Sequence, residues 1–113
     1  IIKSIKFLID RKININHQGY NNCTALHIVL SIDTNLSEKY VIDAVKLLIL
    51  AGANINAVET IKYLTPLHFV LSIHTNLSGQ YVIDAVELLI TAGANVDAVD
   101  IIKNYTPLHY VYH

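Results

Sequence analysis

The sequence repeats itself with a period of 41 residues, and this feature constrains the fold more than any other. Residues 24–64 and 65–105 are identical at 28 of 41 positions. Agreement over a whole segment indicates duplication of a structural unit, and self-similarity at a fixed period is the signature of a repeat architecture. A further copy opens at Thr106 with the sequence TPLHYVYH. The chain is therefore expected to stack similar units rather than enclose one irregular core.

The repeat also extends towards the N-terminus. Residues 5–16 match residues 45–56 at an offset of 40. With 113 residues, the chain fits one domain and leaves no room for two. We interpret it as a single array with a partial repeat at 1–23, whole repeats at 24–64 and 65–105, and the start of a further repeat at 106–113. We expect neighbouring repeats of the same chain at both ends.

Each repeat contains the pattern of two helices. Thr65 opens the second whole repeat and is a typical N-cap residue. Pro66 follows it at the first helical position. Leu67, Val70 and Leu71 then fall at i, i+3 and i+4, which places them on one apolar face. This pattern predicts a first, inner helix.

The second, outer helix is predicted to begin near Ser78. Its apolar residues recur at helical spacing: Tyr81, Val82, Ala85, Val86, Leu88 and Leu89. Gly93 is expected to end it in the left-handed conformation, as is Gly52 one repeat earlier. One helix pair cannot bury its apolar faces alone, so we expect the pairs to stack into a one-dimensional array.

Two recurring motifs resemble the ankyrin repeat. One is the Thr-x-Leu-His sequence at 24–27, 65–68 and 106–109, and the other is the Ala-Gly-Ala-Asn stretch at 51–54 and 92–95. The resemblance covers essentially the whole chain. It implies an all-α fold: an ankyrin-type helix-turn-helix solenoid with short finger loops.

The sequence departs from the family pattern in length. The period is 41 residues, against 33 in typical ankyrin repeats. Seven extra residues lie between the two helices, around 33–39 and 74–80, and we expect them to extend the helices into a repeated ridge. Tyr63 stands where the family often has a turn glycine, and tyrosine adopts the left-handed conformation poorly. We therefore expect the loop before Thr65 to depart from the usual finger shape.

The recurring histidines invite a metal-site hypothesis, which the spacing argues against. His27, His68 and His109 are each one repeat apart. Packed helices lie about 8–10 Å apart, whereas the ligands of one zinc ion lie about 2 Å from it. We expect each histidine instead to bond its own threonine (Thr24, Thr65 or Thr106) and nearby loop backbone. The resemblance implies the same structural role, and we predict neither metal nor cofactor.

Composition and motifs exclude several classes of function. A net charge of −1 and a pI near 6.6 do not fit a nucleic-acid binder. No apolar run reaches the ~18 residues of a membrane helix. The sequence has no Gly-rich phosphate loop and no nucleophile or metalloprotease motif, so we predict no enzyme and no catalytic residue. The carboxylates and lysines are scattered and are expected on solvated faces.

The leading functional hypothesis is a protein–protein interaction module with a protein partner of unknown identity. Solenoids bind through extended curved surfaces. The resemblance implies that finger loops and the exposed side of the inner helices make the contacts. Carried over residue by residue, the candidates are Tyr20, Asn21, Ser31, Ile32, Ile61, Lys62, Ser72, Ile73, Ile102 and Lys103. The one residue directly before each threonine is added to these candidates as a contact or packing residue: Cys23, Leu64 and Tyr105.

An alternative hypothesis is a structural spacer. Near-identical repeats would stack and position another domain without binding a partner themselves, since a selected binding surface diversifies its loops.

The single cysteine, Cys23, is compatible with a reducing compartment. We expect a cytoplasmic location, which would be the host cytoplasm if the source is an intracellular pathogen.

Overall fold

The computed structural model describes residues 2–11, 13–31, 38–72 and 79–111. Within these ranges the chain is helical, as the repeat pattern predicts. The helices are α1 Ile2–Asp10, α2 Ala25–Ser31, α3 Glu38–Leu50, α4 Pro66–Ser72, α5 Gly79–Thr91 and α6 Pro107–Val111. A short 3-10 turn spans Tyr20–Asn22. The all-α fold class is confirmed.

The helices form two rows. The inner row is α2, α4 and α6, in which α4 packs against both neighbours. The outer row is α1, α3 and α5, in which α3 packs against both neighbours. The rows meet because α2 packs on α3 and α4 packs on α5. The array measures 39 × 27 × 24 Å, and its architecture is the predicted helical repeat solenoid.

The inner helices begin as the sequence predicts. Thr24 Oγ1 accepts a hydrogen bond from the backbone N–H of His27 at 3.4 Å, and Thr65 Oγ1 accepts one from His68 at 3.3 Å. Each threonine is thus the N-cap of its helix, three residues before the histidine. Pro66 occupies the first helical position of α4, where a missing N–H leaves no helical bond unmade.

The outer helices end at glycine. Gly52 has φ 93° and Gly93 has φ 102°. The next residue then folds back, so that Ala53 N–H donates to the Leu48 carbonyl at 3.0 Å, with the same bond at 2.9 Å after Gly93. This left-handed cap satisfies carbonyls that the helix end would leave open. Both glycines thus adopt the left-handed conformation that the sequence predicts for them.

The core lies between the two rows. Its most deeply buried apolar side chains come from both rows and from both repeats: Leu26, Leu30, Val45, Leu48, Leu67, Val70, Ala85 and Leu89. Burying a leucine or valine side chain contributes about 1.5–3 kcal/mol. Because equivalent residues from successive repeats meet in one cluster, each repeat is stabilised by its neighbours.

The predicted ridge between the helices lies mostly outside the described residues. The structure describes nothing between residues 32 and 37 or between 73 and 78. The expected start of the outer helix at Ser78 therefore falls in an undescribed segment, and the described part of α5 begins at Gly79.

Candidate interaction surface

Three short loops connect an outer helix to the next inner helix, and we call them fingers. Finger 1 is residues 18–23, finger 2 is residues 59–64 and finger 3 is residues 100–105. Equivalent positions in successive fingers are 41 residues apart. The finger candidates from the sequence analysis all lie in these loops.

A buried carboxylate organises finger 2. Glu59 Oε2 accepts the backbone N–H of Ile61 at 2.8 Å. Glu59 Oε1 accepts the N–H groups of Lys62 at 2.9 Å and Leu64 at 3.0 Å. Three amides of one short loop therefore converge on a single side chain, which fixes the loop's backbone. Charge-assisted bonds of this kind are roughly twice as strong as neutral ones.

Asp100 does the same in finger 3. Its Oδ1 accepts the N–H groups of Ile102 at 3.1 Å, Lys103 at 2.9 Å and Tyr105 at 3.4 Å. The backbone of each finger also closes on itself, with Asp100 N–H donating to the Tyr105 carbonyl at 3.0 Å. In finger 2 the equivalent hydrogen bond, from Glu59 N–H to the Leu64 carbonyl, is 3.1 Å long.

The expectation that the carboxylates lie on solvated faces is wrong for these two. The exposed fraction is 5% for Glu59 and 2% for Asp100. Burial by itself would raise the pKa of Glu59, but hydrogen bonds from the finger backbone hold the pKa below its ordinary value. The sequence did contain a signal, because an acidic residue stands two positions before the Ile-Lys pair in both loops.

Each histidine ties one repeat to the next finger. His27 Nδ1 accepts the N–H of Thr24 at 3.2 Å and contacts its Oγ1 at 3.0 Å. With Nδ1 used as an acceptor, Nε2 bears the proton and donates to the Leu64 carbonyl at 3.0 Å. Together with the threonine cap, this forms a reciprocal capping arrangement in which histidine replaces the usual glutamate.

The second histidine repeats this geometry. His68 contacts Thr65 Oγ1 at 2.9 Å, and its Nε2 lies 3.0 Å from the Tyr105 carbonyl. The predicted threonine and loop contacts of His27 and His68 are confirmed. Burial lowers the pKa of both imidazoles, despite the opposing influence of the carbonyls they contact.

The third histidine, His109, makes the same contacts with its own threonine. His109 Nδ1 accepts the N–H of Thr106 at 3.0 Å and contacts its Oγ1 at 2.8 Å. Its ring stacks on Tyr105, with ring centroids 5.1 Å apart. Across the described residues, no group of three or more His, Cys, Asp or Glu side chains could hold a metal ion.

Backbone hydrogen bonds join the three fingers into one row. Thr60 N–H donates to the Asn21 carbonyl at 2.9 Å, which links finger 2 to finger 1. Ile101 N–H donates to the Lys62 carbonyl at 2.9 Å, which links finger 3 to finger 2. The tips therefore lie in register along the array, and we call this surface the finger row.

Equivalent apolar residues stand exposed along the finger row. The exposed fraction is 89% for Tyr20, 57% for Ile61 and 61% for Ile102. Lys62 and Lys103 next to them are exposed as well. Lys103 Nζ lies 5.5 Å from the centre of the Tyr105 ring.

Other candidates are less accessible or have local partners. Asn21 is half-buried. Ser31 on α2 is exposed, but its hydroxyl donates to the Ile28 carbonyl at 2.8 Å. Ser72 on α4 is half-buried and donates to the Phe69 carbonyl at 3.2 Å. The remaining inner-helix candidates, Ile32 and Ile73, lie outside the described residues.

The residues before each threonine are half-buried. This holds for Cys23, Leu64 and Tyr105. The Tyr105 ring packs against His109, which favours a packing role for it. Burial, with Glu59 nearby, raises the pKa of the Cys23 thiol, so this site does not favour a reactive thiolate.

Tyr63 is an exposed residue of finger 2 that the sequence pattern did not indicate as a contact residue. It adopts φ 62°, close to the φ of 57° at its equivalent Asn104. Finger 2 thus has the same closure and the same carboxylate contacts as finger 3, and the expectation that this loop would depart in shape is wrong. The bonds to Glu59 impose the conformation even on a tyrosine, whose side chain is 46% exposed.

A groove of about 680 Å³ lies between the outer helices α3 and α5. Its lining includes Ile42, Ile49 and Leu88, with Lys46 on α3 and Glu87 on α5. Both charged side chains are exposed. The groove is built from outer helices and shares no residue with the finger row.

Within the described ranges, no helix combines the length and apolar character that crossing a lipid bilayer requires.

Comparison with known proteins agrees with the repeat pattern and the fold. The family model of the ankyrin repeat matches residues 21–60 and 62–101. No curated protein matches the chain. With two adjacent matches that together span most of the sequence, the chain belongs to the ankyrin repeat family.

Proposed function

We propose that this chain is a protein–protein interaction module that binds its partner through the finger row and the exposed side of the inner helices. Ankyrin repeats are generally modules of this kind and are typically not enzymes. The observation that supports the surface most directly is the register of exposed Tyr20, Ile61 and Ile102, one on each successive finger.

The energetics favour such a surface. A few apolar anchors that become desolvated dominate binding at most interfaces. Fingers 2 and 3 are also ordered before binding, because Glu59 and Asp100 each hold three backbone amides. Binding to a preorganised loop loses less conformational entropy than binding to a mobile one.

A spacer function is the second candidate. The identity of 28 of 41 positions between the two repeats supports it, since it leaves few positions at which a binding surface has diversified. In the spacer hypothesis the repeats stack and position another domain, and the finger row makes no selective contact.

Selection of peptides from a random displayed library, with the 113-residue chain as bait, distinguishes these functions. We expect binders whose affinity falls at least tenfold when Ile61→Ser and Ile102→Ser are combined, with an unchanged circular dichroism spectrum. Lys46→Glu in the groove between α3 and α5 is the matched control and should leave affinity unchanged. Selection of no binder, or of binders unaffected by the double change, would support the spacer function instead.

A further inference from the structure

Tyr63 adopts a backbone conformation that suits its residue type badly. Its φ of 62° lies in the left-handed region, which glycine and asparagine tolerate and bulky residues avoid. The equivalent positions in the other fingers are both asparagine, Asn22 at φ 58° and Asn104 at φ 57°. Only finger 2 places an aromatic side chain in this conformation.

The fold does not require a tyrosine here. Finger 3 makes the same closure and the same set of carboxylate bonds with Asn104 in this position. Nor is the Tyr63 side chain a core residue, since 46% of it is exposed. Backbone strain kept at an exposed position, where a better-suited residue would serve the fold, points to function.

The surroundings of Tyr63 suit an anchor. Glu59 fixes the amides of Ile61, Lys62 and Leu64, so the residue lies between two held peptide groups. Ile61 is 57% exposed and Lys62 is exposed. Finger 2 thus presents an aliphatic, a cationic and an aromatic side chain in succession, and tyrosine is among the residues most enriched at binding hot spots.

The charge of the finger row indicates what it would meet. The tip segments 20–23, 61–64 and 102–105 contain two charged residues, Lys62 and Lys103, and both are exposed. The acidic residues of the fingers, Glu59 and Asp100, are buried against backbone amides. A partner that complements this surface places carboxylates opposite the lysines.

We infer that Tyr63 is the principal anchor of the partner site, and that the partner is a protein segment presenting an apolar side chain next to an Asp or Glu. The apolar group packs on Tyr63 and Ile61, and the carboxylate pairs with Lys62. This inference rests on the proposed function, which it deepens by naming the anchor and the chemistry of the partner.

The test uses the whole chain and the peptides selected from the random library. We expect the selected peptides to be rich in apolar residues next to Asp or Glu. Tyr63→Asn should weaken their binding at least tenfold and at the same time raise the Tm by about 2–5 °C, because strain is relieved. Asn104→Tyr should lower the Tm for the converse reason, and Lys46→Glu in the groove between α3 and α5 is the affinity control, which should leave peptide affinity within twofold.

The outcomes separate the anchor from the broader proposal. Binding that is lost with Ile61→Ser and Ile102→Ser but unchanged with Tyr63→Asn would overturn the anchor and leave the proposed function standing. A fall in Tm on Tyr63→Asn would show that the ring stabilises the fold, which also overturns the anchor argument. Peptides without acidic residues, or equal binding to Lys62→Glu, would overturn the partner chemistry. Peptides unaffected by any finger change, or no peptides at all, would overturn both proposals.

Discussion

Finger 1 and finger 2 occupy equivalent places in the array but fold differently. In finger 2, Glu59 gathers three backbone amides, and only Tyr63 has positive φ. In finger 1 the equivalent residue is Gln18, and both Asn21 and Asn22 have positive φ, at 56° and 58°. Finger 1 winds into the 3-10 turn, which finger 2 lacks.

The first residue of each loop differs between the two fingers, and so do the hydrogen bonds that it makes. A carboxylate has only acceptors, so Glu59 attracts N–H groups. The amide of Gln18 donates instead, with Nε2 bonded to the Asn22 carbonyl at 3.1 Å. The loop then closes one residue shorter, from Gly19 N–H to the Cys23 carbonyl at 3.0 Å. Finger 3 has aspartate at this position and matches finger 2, although their tips differ.

The largest expected effect comes from removing the histidine that holds a finger from the preceding repeat. His68→Ala should destabilise the chain by on the order of 1–3 kcal/mol, because it leaves the buried Thr65 amide without its acceptor and removes one of the two hydrogen bonds to the Tyr105 carbonyl. His109→Ala, at an exposed position, is the control and should cost less than about 0.5 kcal/mol. Urea unfolding of both variants measures the difference.

A chelator test accompanies this comparison. Because the histidine contacts are with threonine and backbone, EDTA should leave the Tm unchanged. If EDTA lowered the Tm as much as His68→Ala does, the structural role of these histidines would be refuted.

A smaller loss of stability is expected when Glu59 of finger 2 is replaced by glutamine, the residue that finger 1 has at the equivalent position 18. Glu59→Gln should destabilise the chain by on the order of 1–2 kcal/mol, because a neutral amide replaces a charged acceptor of three partly buried hydrogen bonds. The amides of Ile61, Lys62 and Leu64 should exchange faster with solvent in NMR hydrogen exchange. Glu87→Gln, at an exposed position on α5, is the matched control. Unchanged exchange at all three amides would mean that the carboxylate does not hold the loop.

Local sequence patterns predicted much of the scaffold. The repeat period, the Thr-x-Leu-His motif and the glycines at 52 and 93 each act within one helix end or one helix face, so their spacing sufficed. The burial of Glu59 was not predictable from composition, since isolated carboxylates are normally solvated. Its burial depends on three amides that converge only once the loop is folded.

The same limit applies to the tips. Residue type alone argued against a left-handed Tyr63, yet the carboxylate contacts outweigh that local preference. Conversely, the different shape of finger 1 was not predicted, because it depends on the bond from Gln18 to the Asn22 carbonyl, which forms only once the loop is folded. Both errors arise where a tertiary hydrogen bond overrides a local propensity.

The smallest expected effect is a gain from the reciprocal exchange, Gln18→Glu. The new carboxylate would lose the amide's bonds to the Asn22 and Val58 carbonyls but offer two acceptor oxygens to the amides of finger 1. The loop should then fold as finger 2 does, with Asn21 returning to negative φ. Because Asn22 already tolerates the one left-handed position that this shape needs, the net change should be a stabilisation of about 0.5–1 kcal/mol.

Three measurements check this exchange. The NMR coupling constant between the amide and α protons of Asn21 should change with its φ, hydrogen exchange at Tyr20, Asn21 and Cys23 should slow, and the urea midpoint should rise. Gln18→Ala is the matched control: it also removes the donor but supplies no acceptor, so it should show none of these gains. If Gln18→Glu left Asn21 in the left-handed region, a carboxylate at the first position of the finger would not be enough to give the loop the shape of finger 2.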